Sequence, residues 1–305
     1  MKVIKYPAKE EWSEIVKRPH LDVSKLNATV QGVLDDVKKH GDEAVKRYEE
    51  KFDHAHLDSL AVTEAEIEEA EQMVSQELKD ALHLAHHNIA AFHQSQKFEG
   101  EKVETCPGVT CWQKSVAIQK VGLYIPGGTA PLFSTVLMLA TPAKIAGCEE
   151  IVLCTPPNPE GKVNPAILMA AKIAGVSKIF KAGGVQAIGA MAYGTESVPK
   201  VYKIFGPGNQ FVMAAKQQVS LHDVAIDMPA GPSEVCLIAD ETANPVFAAA
   251  DLLFQAEHGF DSQVFFITTS EKVLENVKKE VEVQLERLPR KEMAQTSLDN
   301  SKFIL

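Results

Sequence analysis

The sequence predicts an α/β protein built on a parallel, doubly wound sheet, and three observations predict it. Short, nearly all-apolar runs alternate with helical stretches from about Val121 to Asp227, which is how strands buried on both faces and joined by crossover helices read. A second α/β pattern runs from Val235 to Leu288. The chain has 305 residues, more than the ~250 at which a single core usually stops growing, so two domains, or one inserted in another, are expected.

Up to about Gln96 the chain reads as helices. Asp42, after Gly41, is placed to cap a helix with apolar positions Ala44, Val45, Tyr48 and Phe52,. Thr63 and Glu66 spell a capping box ahead of Ile67, Ala70, Val74 and Leu78, and the acidic run Glu64 to Glu71 reads as a solvated helix face,. After Gly100, strands are expected at Val116–Ile118, Val121–Ile125, Ile151–Cys154, Lys178–Phe180 and Val201–Phe205. Helices over 131–147, 165–175, 185–193 and 210–219 separate them. Strand Val235–Ile238, a helix from Pro245 to about His258, strand Val264–Ile267 and a helix over Glu271–Leu288 make up the second pattern. The chain is polar after Pro289 and closes on Lys302-Phe303-Ile304-Leu305. That ending reads either as a docked tail or as a strand just beginning in a longer protein.

Composition narrows the function classes. Lys and Arg number 31 against 41 Asp and Glu, a net charge of −10, so a nucleic-acid partner is not expected without a local basic patch, and none is visible. Five cysteines (Cys106, Cys111, Cys148, Cys154, Cys236) with no C-x-x-C pair fit reduced thiols in a cytoplasm. The first residues lack the apolar core of a signal peptide, and no run approaches the ~18 apolar residues of a membrane span. A soluble, cytoplasmic protein is expected.

Three strand-to-helix turns are rich in glycine: Pro126-Gly127-Gly128-Thr129, Gly183-Gly184 and Gly206-Pro207-Gly208-Asn209. On a doubly wound sheet such turns lie at the carboxyl ends of strands, where free N–H groups and helix N-termini suit phosphates or a dinucleotide. Taken alone, each turn is better explained by tight-turn geometry, and it is three of them on successive units of one sheet that point to a shared ligand edge. No G-x-G-x-x-G or P-loop occurs. Gln255 and His258, three apart at a helix end, share a face and could meet one ion, or His258 could simply cap the helix,. His83, His86, His87 and His93 have metal-ligand spacing but read better as a polar helix face or an interface,. Ser233 follows a Pro/Gly-shaped loop, where its hydroxyl could bind a ligand or cap a turn,. Cys148 and Cys154 lie on apolar segments and read as core,.

Five segments occur in a distinctive order: Val121-Gly122-Leu123-Tyr124-Ile125-Pro126-Gly127-Gly128, Ala182-Gly183-Gly184-Val185-Gln186-Ala187-Ile188, Phe205-Gly206-Pro207-Gly208-Asn209, Asp227-Met228-Pro229-Ala230-Gly231-Pro232-Ser233-Glu234 and Gln255-Ala256-Glu257-His258-Gly259. This series resembles the histidinol dehydrogenases, and the resemblance runs from about Leu21, through Gly41-Asp42 and Lys51-Phe52-Asp53, to the end of the chain. It implies oxidation of L-histidinol to L-histidine through histidinal, with two NAD and a bound zinc. By resemblance, Tyr124, Gln186 and Asn209 contact NAD. Ser233, Gln255 and His258 contact histidinol, with Gln255 and His258 also on zinc. The resemblance further implies a homodimer with shared sites and two Rossmann-like domains, one inserted in the other. Their expected bounds are 1–123 with 233–305 (N-terminal helices, substrate and zinc side) and 124–232 (NAD side).

The family's catalytic Glu-His pair, and an aspartate and a histidine of its zinc shell, have no counterpart here after Leu288. The resemblance therefore implies a chain that is catalytically incomplete. A non-catalytic nucleotide-binding protein is the alternative. A phosphoryl or glycosyl transferase is a third reading, disfavoured by the missing P-loop and acidic metal cluster.

Overall fold

The computed structural model describes residues 1–17, 24–127, 131–229, 233–260 and 262–305. The chain divides into two compact units, Asp22–Pro229 and a discontinuous one of Met1–Leu21 with Ala230–Leu305. Strand β1 (Lys2–Ile4) and the short helix α1 (Trp12–Ile15) open the chain and belong to the second.

The unit of residues 22–229 begins with helix α2 (Ser24–Phe52), kinked at Gly41 (φ 51°, ψ −132°). A side chain there would strike the Glu196 carboxylate on top of an unfavourable φ, so glycine is required,. Asp42 does not serve as a helix cap. Its carboxylate accepts hydrogen bonds from Thr195 Oγ1 (2.5 Å), Ser197 N–H (3.2 Å) and the Ser197 hydroxyl, fastening the helix to a loop 153–155 residues away. Of the four positions expected to face the core, Ala44 and Val45 are buried, but Phe52 is 54% exposed.

Helix α3 (Glu64–Met73) starts on the expected capping box: Thr63 N–H donates to Glu66 Oε2 (2.8 Å), and Glu66 N–H donates to Thr63 Oγ1 (3.3 Å). The helical run does not continue to Leu78. Ser75 caps a separate helix, α4 (Gln76–Gln94), by accepting from Leu78 N–H. The acidic face of α3 is also less solvated than expected, because Glu66, Glu69 and Glu71 pair with Lys181, Lys162 and Lys172.

An exposed antiparallel hairpin follows, β2 (Val103–Cys106) with β3 (Val109–Cys111). The strand expected at Val116–Ile118 does not form; with Val116 76% exposed, no neighbour converts its β-propensity into pairing,. The chain then alternates: β4 (Lys120–Tyr124), α5 (Phe133–Ala146), β5 (Glu150–Thr155), α6 (Pro165–Ala174), β6 (Lys178–Lys181), α7 (Gly184–Tyr193), β7 (Lys203–Phe205), α8 (Gln210–Ser220) and β8 (Ala225–Ile226). The five strands are all parallel, in the order β6-β5-β4-β7-β8. One face carries Tyr124, Cys154, Phe180 and Ile204 into a core with α2, α7 and α8, and the other carries Val121, Leu123, Leu153 and Ile179 into a core with α4, α5 and α6. Burial on both faces is why these strands read as unbroken apolar runs.

The expected boundary at 123/124 is therefore corrected to 21/22. Strand β4 is the middle of this sheet, and α2 to α4 cover its faces, so the N-terminal helices belong with the inserted unit. The return lies at 229/230, three residues before the expected one.

The discontinuous unit continues with β9 (Glu234–Ala239), α9 (Pro245–Ala256), β10 (Gln263–Thr268), α10 (Glu271–Leu285), α11 (Lys291–Asp299) and β11 (Lys302–Ile304). Its sheet is parallel, in the order β1-β11-β10-β9. The last strand is neither exposed nor unpaired: β11 lies between β1 and β10, and Phe303 is fully buried against Phe266, with ring centroids 5.3 Å apart. The polar stretch after Pro289 forms α11, in which Ala294 and Leu298 are buried in the core and Met293 is half-buried. Among the described residues no helix is long and apolar enough to cross a membrane.

Candidate functional site

In the sheet of residues 22–229 the chain runs from β4 outward through β5 and β6, then crosses to β7 and β8 on the other side. The crevice outside the carboxyl ends of β4 and β7 is thus the switch point, where ligands of open α/β sheets bind. A cavity of about 600 Å³ opens there, lined by Tyr124, Gly127, Gly184, Gln186 and Asn209, with Phe52 and Asp53 from the end of α2 and Phe211 from α8. Tyr124, Gln186 and Asn209 are thereby brought together. The Gly128 and Thr129 of the first glycine turn lie outside the described residues.

Each of the three is held by the sheet's own connections. Tyr124 ends β4, and its Oη accepts the Gly184 N–H (3.0 Å). Burial pushes its phenol far above the ordinary range, so it stays an O–H donor,. Gln186, in the first turn of α7, donates from Nε2 to Glu49 Oε1 (2.8 Å). Asn209 caps α8, its Oδ1 accepting from the N–H groups of Phe211 (3.0 Å) and Val212 (3.1 Å),. These bonds leave the tyrosine hydroxyl hydrogen, the glutamine carbonyl oxygen and the asparagine amide hydrogens for a ligand. Two donors, one acceptor and two helix N-termini in a largely apolar crevice are a donor set suited to a dinucleotide.

The β7–α8 turn is the tightest part of the rim. Gly206 has φ +133°, and a Cβ there would run into the Tyr124 carbonyl oxygen. Its N–H donates to Asp227 Oδ2 (2.8 Å), while its carbonyl accepts from Lys216 Nζ (2.7 Å), whose ammonium also pairs with Asp227. Lys216 is 1% exposed. Neither Lys216 nor Glu49 is suggested by the sequence. The available hints are a lysine on the apolar side of α8, and a glutamate four residues before Asp53 on α2.

Glu49 is completely buried, and its Oε1 also accepts the Gly183 N–H (2.8 Å). Burial, opposed by these two hydrogen bonds and assisted by the neighbouring Asp53 carboxyl, pushes its pKa up to about 8,. Burial raises that of Asp53 as well.

The remaining candidates belong to the discontinuous unit. Ser233 is exposed just before β9, and its carbonyl accepts from Gln263 N–H (3.1 Å). Gln255, in the last turn of α9, is half-buried; His258 is exposed just beyond, its ring edge-on to Phe254 at 5.1 Å. Helix ends and strand starts share one end of a parallel sheet, so all three lie at the strand-start end of this one. Ala230, Gly231 and Pro232 lie outside the described residues. An amide oxygen and an imidazole are acceptable zinc donors, yet two do not make a zinc site. Among the described residues no three His, Cys, Asp or Glu side chains gather to hold a metal, the histidines of α4 included. Cys148 and Cys154 are buried, as a core role requires, and the other three cysteines are exposed.

The strand order and the cavity together define the class: a doubly wound α/β protein with a cavity at its topological switch point. A family model for histidinol dehydrogenase matches residues 16–305. Histidinol dehydrogenase from Bacteroides thetaiotaomicron is 67% identical over 305 residues, which is 100% of this chain and 71% of that protein. The enzyme of Escherichia coli K12 is 52% identical over 299 residues, 97% of this chain and 68% of its own. A crystal structure of histidinol dehydrogenase from Elizabethkingia anophelis superimposes with a TM-score of 0.97 at 51% identity, covering 100% of this chain and 70% of that one. The chain belongs to the histidinol dehydrogenase family, oxidoreductases that oxidise histidinol in histidine biosynthesis.

Proposed function

We propose that the unit of residues 22–229 binds NAD in the switch-point cavity through Tyr124, Gln186 and Asn209. In the same reading, Ser233, Gln255 and His258 of the other unit contribute to the binding of L-histidinol, with Gln255 and His258 as two of the donors to a zinc ion. The observation that carries the proposal is the convergence of Tyr124, Gln186 and Asn209 on one cavity, each with one polar group unused.

The net reaction takes the alcohol to the aldehyde and, after addition of one water, to the acid. Each stage releases a hydride and a proton, and bound NAD supplies the hydride acceptor. Tyr124 and Asn209 orient the dinucleotide as donors and Gln186 as acceptor. None of the residues assigned here serves as the general base for the two proton losses, a contribution typically worth ~10²–10⁴-fold. We therefore expect the 305-residue chain by itself to form NADH from histidinol far more slowly than its relatives. A cytoplasmic homodimer with sites shared between subunits completes the proposal.

Calorimetric titration of the chain with NAD, zinc and histidinol, alongside NADH absorbance, tests it. Saturable NAD binding that is lost in Asn209→Ala and Tyr124→Phe is the expected result. Absence of NAD binding overturns the cofactor assignment, and turnover matching the relatives overturns the expectation of slow chemistry.

A further inference from the structure

Beneath the cavity, Glu49 is an acid with no exposure and no cation among the groups acting on it. One oxygen serves two neutral donors, the Gly183 N–H and the Gln186 amide. The other, Oε2, is buried and without a hydrogen bond, and the Asp53 carboxyl is the charged neighbour of this acid. An ionised carboxylate in that position would be a buried charge with one lone-pair set unsatisfied, next to a second carboxylate. A neutral acid has an O–H to offer Asp53. Two carboxyls at such range titrate as a pair, and the more buried one keeps the proton.

The groups facing Glu49 from the packed elements support this. They are Asp53 just beyond α2, itself acted on by His54; Tyr124 on β4; Cys154 on β5; and two uncharged groups, Gly183 at the N-cap of α7 and Gln186 in its first turn. Burial raises both Tyr124 and Cys154 far enough that neither is charged below pH 9.5. Asp53 lines the cavity while Glu49 lies behind it. Any charge gained by Glu49 therefore acts on the ligand and on the two residues it holds.

We propose that Glu49 is a positioning residue of the dinucleotide cavity: a proton kept on Oε2 lets Oε1 hold the Gly183–Gly184 turn and the Gln186 amide, and loss of that proton weakens dinucleotide binding. This rests on the NAD reading of the cavity. The direction follows from charge, since a second carboxylate beside Asp53 repels the pyrophosphate, by about tenfold in affinity for one charge at cavity range.

The test is a pH series from 6.5 to 9.5 on the 305-residue chain and on Glu49→Gln, which keeps the acceptor oxygen and an N–H for Asp53. Two readouts are taken: the NMR shifts of the Gly183 N–H and the Gln186 side-chain amide, and the Kd for NAD by calorimetry. In the parent chain both should move with one midpoint near 8, the Kd rising about tenfold. In Glu49→Gln both should be flat, with Kd near the low-pH parent value. Glu49→Ala, if folded by circular dichroism, should bind NAD about tenfold more weakly at pH 6.5, because two donors lose their acceptor. Identical pH profiles in the parent and Glu49→Gln overturn the proposal. Amide signals that titrate in a parent chain that binds no NAD at any pH overturn the NAD reading, and with it the binding half of the proposal, while establishing the proton on Glu49.

Discussion

The two units of this chain are both parallel α/β, yet they treat their candidate residues differently. In the unit of residues 22–229, five strands are covered on both faces, and three candidates from three separate connections meet in one cavity at the strand ends. In the discontinuous unit, four strands rest on a single core, while Ile238, Phe247 and Phe254 remain 76%, 69% and 64% exposed. Its candidates lie at the strand-start end, exposed or half-buried, with few internal partners. A site built into a sheet's connections is pre-organised by the fold. One displayed on a helix end needs further groups to complete it.

That contrast predicts where mutations act. The largest effect is expected for Phe303→Ala, which empties the core of the discontinuous unit. It should destabilise that unit by about 3–5 kcal/mol in urea unfolding while leaving the NAD Kd unchanged; a large loss of NAD affinity would break the distinction. Lys216→Met is next. It leaves Asp227 and the Gly206 carbonyl without their cation, costing about 3 kcal/mol, and it should weaken NAD binding through the β7–α8 turn. Asn209→Ala removes the cap of α8, a loss of about 1 kcal/mol in the same assay, together with the contact to NAD proposed for it. The smallest effect on stability belongs to His258→Ala, within about 0.5 kcal/mol, although calorimetry should show zinc binding abolished. A strongly destabilised His258→Ala would show that this residue is structural after all.

Much of the 22–229 unit was legible because buried parallel strands have no polar alternation to confuse the reading, and because Thr63 and Glu66 announce a helix start by chemistry. The unit boundary was not. Which sheet a set of amphipathic helices covers depends on tertiary packing, and α2 looks the same whichever unit it joins. Val116–Ile118 has strand composition without a partner, whereas α11 has a polar composition in which two of three apolar residues are buried. Of the site, the glycine turns and the residues on them could be read directly. Glu49 could not, because an acid in Glu49-Glu50 resembles any solvent-facing pair until its surroundings are known. Phe52 fails the other way: its spacing says core, and it lines the cavity instead.

The pairing of β1 with β11 sets Lys2 beside Lys302 and Ile4 beside Ile304. In synthesis from the N-terminus, β1 must wait until residues 302–304 emerge before it meets its neighbour, while every strand of the 22–229 sheet is available earlier. Loop closure over that separation is slow. Assembly on the ribosome should thus be ordered, the five-stranded sheet and its cavity maturing before the four-stranded sheet closes.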